Sequence, residues 1–286
     1  MTQVAQPRTA SPRSIPGRYG PWAVVTGASD GIGRAAATEL AGQGFGVVLV
    51  ARRAAALEDL ARALEARHSV ATRVIAVDLS SPDQAARVEL ETRDLDVGLF
   101  FAAAGFGTSG PFVEADIEPE LNMIDVNCRA PVLSTHGFAR RFVARGGGGV
   151  VLMSSLVAFQ GVPRAAAYAA TKAFVQTFAE GLARELKPLG VDVLASAPGP
   201  VMSGFGARAG MAIGSGQTPE AVARATLRAL GRRTTVRPGL LAKGLEASLA
   251  PLPRPPRVLA LEKVMAGLTR EKSRPADRLG HEGSAA

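Results

Sequence analysis

Short apolar runs alternate with amphipathic segments between residues 21 and 200. The runs are continuously apolar, which is typical of strands buried on both faces of a parallel sheet. The intervening segments show a helical repeat, for example Leu57, Leu60 and Leu64 on one face. The predicted strands are 22–26, 46–51, 72–78, 97–103, 150–154 and 191–197, and the predicted helices are 32–43, 54–67, 119–145 and 166–186, with one more beginning at Pro82. Six strand-then-helix units predict an α/β fold, a doubly wound parallel sheet.

One domain, residues 21–240, accommodates these units. Residues 1–20 contain Pro, Ser and Arg without an apolar block, which predicts a disordered tail and no secretory signal. Residues 202–217 are rich in Gly and small side chains and are predicted to form a flexible segment that is too long for a simple connection. Residues 241–286 are predicted to be a basic, partly helical C-terminal extension. Its candidate helix carries on one face Val258, Leu261, Met265 and Leu268.

Composition excludes several classes of protein. With 286 residues and 47% apolar side chains, the chain can bury a large core, so a largely disordered protein is excluded. The longest apolar runs fall short of the roughly 18 residues that a membrane span requires. The single cysteine, Cys128, allows no intramolecular disulfide and indicates a reducing, cytoplasmic location. The three histidines lack metal-ligand spacing, so no metal site is predicted.

The net charge of +8 lies in the two ends of the chain. Residues 1–20 hold three Arg and no acid, and residues 232–286 hold eleven Lys and Arg against five Asp and Glu. The body between them is close to neutral. Nucleic-acid-binding proteins usually carry basic and aromatic residues on a folded face, and aromatics are only 5% here. We therefore predict no nucleic-acid partner.

A glycine-rich turn follows the first predicted strand and opens the first predicted helix. Glycines allow backbone N–H groups to approach a pyrophosphate, and a helix N-terminus offers it partial positive charge. Such a turn is weak evidence by itself, but its place in a βαβ unit strengthens it. The predicted cofactor-binding residues of the turn are Gly27, Ser29, Asp30, Gly31, Ile32 and Gly33.

The second predicted strand ends at Arg52 and Arg53, with no acid nearby. An acid at this place in a dinucleotide-binding fold binds the ribose 2′-hydroxyl of NAD, whereas Arg accommodates the 2′-phosphate of NADP. The pair therefore favours NADP, with NADPH preferred over NADH. The alternative is that both arginines are merely solvent-exposed residues at the start of a helix.

Tyr168 and Lys172 are four residues apart on a predicted helix and share one face. A phenol has a pKa of about 10, too high for efficient proton exchange at neutral pH. An ammonium about 6 Å away, at an effective dielectric near 20, favours the phenolate by about 3 kcal/mol. The pair is therefore predicted to be an acid/base device. The alternative is a surface tyrosine beside an incidental lysine.

The turn has the spacing G-x-x-x-G-x-G, and together with the Tyr-Lys pair it resembles the short-chain dehydrogenase/reductase superfamily, which has a Rossmann-type fold. Ser155 lies thirteen residues before Tyr168, and Asn127 lies 28 before Ser155, as in the family's Asn-Ser-Tyr-Lys tetrad. The spacing selects Ser155 rather than Ser154. The resemblance implies that Ser155 hydrogen-bonds the substrate oxygen, that Tyr168 transfers its proton, that Lys172 also holds the nicotinamide ribose, and that Asn127 positions a water; a structural amide is the alternative for Asn127.

The resemblance also counts Asn127, Tyr168 and Lys172 among the cofactor-binding residues. It implies further cofactor contacts, a substrate lid formed by the mobile segment 202–217, and a homo-oligomer. Asp78 and Leu79 match the position that contacts the adenine ring. Around the nicotinamide carboxamide, the matching residues are Pro198, Gly199, Val201 and Ser203. One departure stands at residues 102–105, where A-A-A-G replaces the usual N-A-G and removes an amide expected to brace the sheet.

Two alternative hypotheses about function follow from these predictions. The first is an NADP(H)-dependent oxidoreductase that transfers a hydride between nicotinamide and a carbonyl or alcohol, with Tyr168 as general acid/base. The second is a non-catalytic NADP-binding module whose C-terminal tail docks on a membrane or a partner. Packing of helix 258–268 on the protein's own body or a second subunit is favoured over membrane contact.

Overall fold

The computed structural model describes residues 15–212, 215–239, 243–244, 248 and 251–268. Seven parallel strands form one sheet in the order β3-β2-β1-β4-β5-β6-β7. The strands are β1 (Trp22–Thr26), β2 (Gly46–Ala51), β3 (Thr72–Ala76), β4 (Val97–Ala102), β5 (Gly148–Met153), β6 (Val191–Ser196) and β7 (Thr235–Val236). The order reverses between β1 and β4, and ligands bind at the carboxyl ends of strands beside such a switch point.

Helices cover both faces of this sheet. They are α1 (Ile15–Tyr19), α2 (Gly31–Gly42), α3 (Ala54–His68), α4 (Pro82–Leu90), α5 (Ile117–Ile124), α6 (Ala130–Arg145), α7 (Ala166–Leu186), α8 (Phe205–Ala209), α9 (Pro219–Ala229) and α10 (Arg254–Leu268). Local sequence explains several boundaries. The side chains of Ser81 and Thr218 accept hydrogen bonds from backbone N–H groups of α4 and α9, and Gly146 ends α6 in the left-handed conformation.

Two apolar layers hold the sheet. Along β1, Ala23 and Val25 face a layer that includes α2, α3 and α9, whereas Trp22 and Val24 face a layer that includes α4, α6 and α7. Successive strand side chains point to opposite faces, so both sets are buried only when helices cover both sides. The predicted doubly wound α/β fold is confirmed.

The ends of some predicted elements differ from the structure. β3 ends at Ala76, so Asp78 lies in the following loop rather than in the strand. The predicted helix 119–145 is divided by a π-helical turn over Asp125–Arg129. The short strand β7 escaped prediction because two residues, Thr235–Val236, carry no periodic signal.

The predicted N-terminal tail is wrong for its last residues. Residues 15–19 form α1, and Tyr19 is buried, its hydroxyl donating to Asp192 Oδ2 at 2.9 Å. Arg18 forms an ion pair with the same carboxylate. Residues 1–14 lie outside the described residues. Tyr19 therefore belongs to the core of the domain and not to a tail.

The described part of the C-terminal extension packs on the α/β domain. Leu261 and Met265 of α10 are buried in an apolar cluster that also contains Tyr168. The predicted domain boundary at residue 240 therefore separates residues that pack together in one cluster. Val258 is half-buried on the same helix, and the Leu268 side chain and residues 269–286 lie outside the described residues. Among the helices described, none is both long and apolar enough to cross a membrane.

Candidate active site

The turn between β1 and α2 forms a compact backbone cradle. Gly27 and Gly31 have φ of 70° and 52°, a region that favours glycine. A Cβ on Gly33 would lie only 2.3 Å from the carbonyl oxygen of Gly27. Asp30 caps α2 by accepting a hydrogen bond from Gly31 N at 2.7 Å. Close backbone at a helix N-terminus fits the pyrophosphate of a dinucleotide.

Two exposed arginines stand beside this cradle. Arg53 Nη2 donates to the carbonyl oxygen of Ser29 at 3.2 Å and to its hydroxyl at 3.1 Å. This contact holds the guanidinium of Arg53 against the turn, while Arg52 is its exposed neighbour. Asp78 lines the same cavity as the two arginines and accepts hydrogen bonds from Ser80. The two arginines therefore lie at the end of the cradle where the residues predicted to bind the adenosine half of the cofactor are also found.

The predicted catalytic side chains meet where α7 crosses β5. Tyr168 and Lys172 are 8% and 7% exposed, and Lys172 Nζ lies 5.8 Å from the centroid of the Tyr168 ring. Lys172 Nζ donates to the carbonyl oxygen of Met153, the last residue of β5, at 2.9 Å. The Ser155 hydroxyl lines the same cavity and acts to lower the pKa of the Tyr168 phenol. Ser154 instead donates to the carbonyl oxygen of Lys172, a structural contact.

Asn127 lies behind the wall of the cavity, within the π-helical turn. Its Nδ2 donates to the carbonyl oxygen of Phe106 at 2.9 Å and to Thr171 Oγ1 at 3.0 Å, and its Oδ1 accepts from Phe106 N at 3.1 Å. A Cβ on Gly105 would lie 2.9 Å from Asn127 Oδ1 and 3.4 Å from Lys172 Nζ. The Asn127 side chain therefore ties the loop after β4 to α7 and does not line the cavity, contrary to its prediction as a cofactor-binding residue.

The segment after β6 forms another wall of the cavity. Leu156 N donates to the carbonyl oxygen of Pro198 at 3.0 Å, which joins the end of β6 to the turn after β5. Val201 forms a bridge with Gln217, so the predicted lid 202–217 is pinned at its base. Within that lid, the Phe205 ring lies 5.4 Å from the Tyr168 ring, centroid to centroid.

One cavity of about 520 Å³ unites these groups. Apart from Asn127, every residue predicted for cofactor binding or catalysis lines it: Gly27, Ser29, Asp30, Gly31, Ile32, Gly33, Arg52, Arg53, Asp78, Leu79, Ser155, Tyr168, Lys172, Pro198, Gly199, Val201 and Ser203. The sequence analysis missed an apolar group that includes Val157, Val162, Phe205, Met211, Leu261 and Met265. Apolar side chains carry no chemical motif; only the repeat along α10 hinted at a packed face.

The sequence matches the family described as short chain dehydrogenase over residues 21–211. The chain belongs to this family. Its members named below include reductases and dehydrogenases, oxidoreductases that act on CH–OH and C=O groups.

Individual relatives add detail. The short-chain dehydrogenase is 38% identical over 177 residues to the 7beta-hydroxysteroid dehydrogenase of Clostridium sardiniense, covering 62% of this chain and 68% of that one. It is 37% identical over 186 residues to very-long-chain 3-oxoacyl-CoA reductase-A of Danio rerio, covering 63% and 58%. The chain thus spans less than two thirds of the second relative's length.

Solved structures share the fold over most of the chain. A structure of 7beta-hydroxysteroid dehydrogenase has a TM-score of 0.80 at 27% identity, covering 87% of this chain and 99% of that one. A short-chain dehydrogenase from Sphingobium yanoikuyae in complex with NADPH has a TM-score of 0.72 at 31% identity, covering 90% and 99%. A bulky-bulky ketone specific alcohol dehydrogenase from Comamonas testosteroni has a TM-score of 0.69 at 29% identity, covering 82% and 96%.

Burial, rather than the neighbouring ammonium, sets the protonation of the pair. Desolvation raises the pKa of Tyr168 to about 12, although its hydrogen bond with Ser155 acts in the opposite direction. Desolvation also lowers the pKa of Lys172 to about 8. The sequence-based expectation that Lys172 lowers the pKa of the phenol below its ordinary value is therefore wrong. Placing both groups out of water disfavours both charged forms.

The missing amide after β4 is replaced by contacts from β1. Thr26 Oγ1 accepts a hydrogen bond from Ala104 N at 3.1 Å. A Cβ on Gly27 would lie 2.8 Å from Ala104 N and 2.9 Å from the carbonyl carbon of Ala103, so the two backbones are in close contact. The A-A-A-G stretch is thus braced by Thr26 and by backbone packing.

Replacement of Lys172 by Met should change how stability depends on pH. The folded-state pKa of about 8 lies below the ordinary 10.5, so burying the ammonium destabilises the fold fully below pH 8, and this penalty fades as pH rises toward 10.5. At about 1.4 kcal/mol per pKa unit, the stability of Lys172→Met relative to the parent should be about 2 kcal/mol more favourable at pH 6.5 than at pH 9.5.

Urea unfolding at the two pH values measures this difference. Lys187→Met, at an exposed lysine just after α7, is the control and should show no such dependence. A pH-independent difference for Lys172→Met would contradict the lowered pKa.

Proposed function

We propose that this short-chain dehydrogenase is an NADP(H)-dependent carbonyl reductase, able to run the reverse alcohol oxidation, with Tyr168 as general acid/base. The observation that carries the proposal is the meeting of Tyr168, Ser155 and Lys172 in the same cavity as the glycine cradle. A module that only bound the nucleotide would have no use for a buried Tyr-Lys pair beside it. The relatives named as reductases and dehydrogenases support the same reaction class.

The residues at the β2 end fit NADP. The 2′-phosphate would be held by Arg52 and Arg53, and the pyrophosphate by the backbone at Gly31 and Gly33. Arg suits phosphate because its planar fork offers several donors, and an already positioned fork loses less freedom on binding. The contact of Arg53 with Ser29 provides that positioning. The NADPH complex of the Sphingobium relative also supports this choice.

When bound, the reduced nicotinamide supplies a hydride to the carbonyl carbon and becomes oxidised. The chain's own residues supply the rest. Ser155 and Tyr168 present two hydroxyls to the carbonyl oxygen, and Tyr168 gives that oxygen its proton, so the carbonyl becomes an alcohol. The Tyr168 oxygen then regains a proton from solvent. Lys172, anchored on Met153, holds the nicotinamide ribose and keeps positive charge near the phenol below pH 8.

The raised pKa of Tyr168 favours reduction. A phenol with a pKa of about 12 is almost wholly protonated at neutral pH and is ready to donate. Oxidation of an alcohol needs the phenolate, which burial disfavours. At neutral pH the phenol is therefore in the protonated form that carbonyl reduction requires.

Asn127 acts as a positioning residue. Its three hydrogen bonds join the backbone at Phe106 to the hydroxyl of Thr171. The Thr171 hydroxyl in turn donates to the carbonyl oxygen of Tyr168. Positioning of a water by Asn127 stays a prediction. So do the cytoplasmic location and the homo-oligomer. Exposed apolar side chains on α5, α6 and α7, among them Ile117, Leu133 and Phe174, support self-association, which light scattering can measure.

Removal of the Tyr168 hydroxyl tests the general-acid assignment. Tyr168→Phe should lower kcat for carbonyl reduction at least about 100-fold, because the proton donor is lost while the ring and its packing remain. NADPH affinity, measured by fluorescence titration, should change less than about threefold.

Tyr19→Phe is the matched control, since Tyr19 is the other tyrosine of the chain and is buried against Asp192. Its kcat should equal that of the parent. Full activity in Tyr168→Phe would refute the role of the phenol.

Loss of both arginines tests the preference for NADP. Arg52→Ala combined with Arg53→Ala should raise KM for NADPH at least about tenfold, because two charge-assisted contacts with the 2′-phosphate are removed. KM for NADH should change less than about threefold, since NADH lacks that phosphate. Arg62→Ala, at an exposed position of α3, is the control. Equal losses with both nucleotides would contradict the assignment.

A further inference from the structure

One charged side chain of the cavity has no role in the proposed cofactor contacts or in the acid/base pair. The charged side chains of the described residues that line the cavity are Asp30, Arg52, Arg53, Asp78, Lys172 and Arg208. The first four lie in the cofactor half, and Lys172 is the partner of Tyr168. Arg208 lies on α8, in the part of the cavity away from the glycine cradle, which we call the distal half.

Helix α8 runs from the cradle to the loop after β4. Where it begins, a Cβ on Gly204 would lie 2.5 Å from Asp30 Oδ2, so this end is packed on the cradle. Where it ends, the Ser109 hydroxyl donates to the carbonyl oxygen of Ala209 at 2.6 Å. Both ends of α8 are therefore fixed, and side chains near Ala209 stand farther from the cradle than Gly204 does.

Arg208 lies one helical turn after Phe205. Residues three apart on a helix share a face, and both side chains line the cavity. The Phe205 ring packs on the Tyr168 ring, with centroids 5.4 Å apart. Arg208 is about 4.5 Å farther along the helix axis, at 1.5 Å per residue. The face of α8 that borders the cavity therefore runs from the acid/base tyrosine to a guanidinium.

The guanidinium of Arg208 has no partner among the described residues. No carboxylate of that part of the chain lies within ion-pair distance of it, and its side chain forms no hydrogen bond there. By contrast, Arg53 is held by Ser29, and Arg145 is paired with Asp96. An unpaired guanidinium at the edge of a cavity is available to bind an anionic group of a ligand.

The cavity wall around Tyr168 is apolar. Val157, Phe205 and Met211 line the cavity and pack on the apolar cluster that contains Tyr168. The two carboxylates among the described lining residues belong to the cofactor half, so in that part of the chain no acid opposes an anion in the distal half. Apolar walls with a few polar groups orient a ligand by its polar ends. The distal half therefore suits a ligand with an apolar body and a negative charge.

We propose that the substrate is a ketone, or the corresponding alcohol, whose apolar body carries a carboxylate remote from the reacting carbonyl, and that Arg208 binds this carboxylate. The carbonyl oxygen then lies at the Ser155 and Tyr168 hydroxyls. One guanidinium balances the charge of one carboxylate, and its fork matches the two oxygens. A phosphate monoester carries more negative charge than one guanidinium can balance. This inference rests on the proposed function.

The test compares two substrates with NADPH: an unbranched eleven-carbon keto acid, with a methyl ketone at one end and a carboxylate at the other, and its methyl ester. In the parent, kcat/KM for the acid over that for the ester should be at least about ten, because the acid gains a charge-assisted contact. Arg208→Met should lower this ratio at least about fivefold, mainly through KM for the acid.

Two further variants control for charge and for position. Arg208→Lys keeps the charge without the fork and should retain at least about a third of the parent's ratio. Arg228→Met replaces an exposed arginine of α9 that does not line the cavity, and should leave the ratio within about twofold.

The outcomes separate the two proposals. A parent that oxidises NADPH with neither compound, although it binds NADPH, overturns the proposed function at these substrates and the substrate class with it. A parent that reduces both compounds without preferring the acid overturns only the substrate class. Equal ratios for Arg208→Met and Arg228→Met overturn the role of Arg208. So does an Arg208→Met variant that binds NADPH more weakly and loses the same factor with both compounds, since Arg208 then serves the cofactor. Urea unfolding reports whether Arg208→Met is folded, and if it is not, Arg208→Gln decides by the same ratio.

Discussion

The burial of Tyr168 and Lys172 on one face of α7 is the constraint on which the rest of the site depends. Both side chains are out of water, so each needs a polar partner from elsewhere in the fold. Lys172 finds the carbonyl oxygen of Met153, and Tyr168 finds the Ser155 hydroxyl just beyond β5. The register between α7 and β5 therefore determines the position of the Tyr168 hydroxyl. A shift of either element would leave a buried polar atom without its hydrogen-bond partner.

The two halves of the cavity are built in different ways. The cofactor half is backbone: the tight turn at Gly27 and Gly33 and the N-terminus of α2 come from one continuous stretch of chain. The other half is lined by side chains from α8, from the loop before α7 and from α10. Variation in these segments can change the substrate without disturbing the cradle. The shared fold of relatives with different named substrates agrees with this division.

Local spacing made most of the site predictable from the sequence. The glycine turn and the Tyr168–Lys172 pair are each set by a few consecutive residues, so their geometry follows from a turn or one helical turn. The position of α10 over Tyr168 could not be predicted in this way, because it depends on contacts across more than 90 residues. The same holds for Tyr19, whose polar neighbours in the sequence concealed a core residue, and for Asn127, whose partners Phe106 and Thr171 are assembled only by the fold.

The protonation of Tyr168 was the clearest failure of prediction from sequence. Helical spacing correctly places the ammonium near the phenol. The depth of burial, however, is a property of the whole fold, and desolvation raises the pKa of the phenol and lowers that of the ammonium. The direct test is carbon-13 NMR of protein labelled at tyrosine Cζ, recorded from pH 6 to pH 10.5, with Tyr19→Phe used to assign the two resonances. The account predicts that the Tyr168 resonance stays at the neutral-phenol position throughout this range. A titration of Tyr168 with a midpoint below about pH 9 would contradict it.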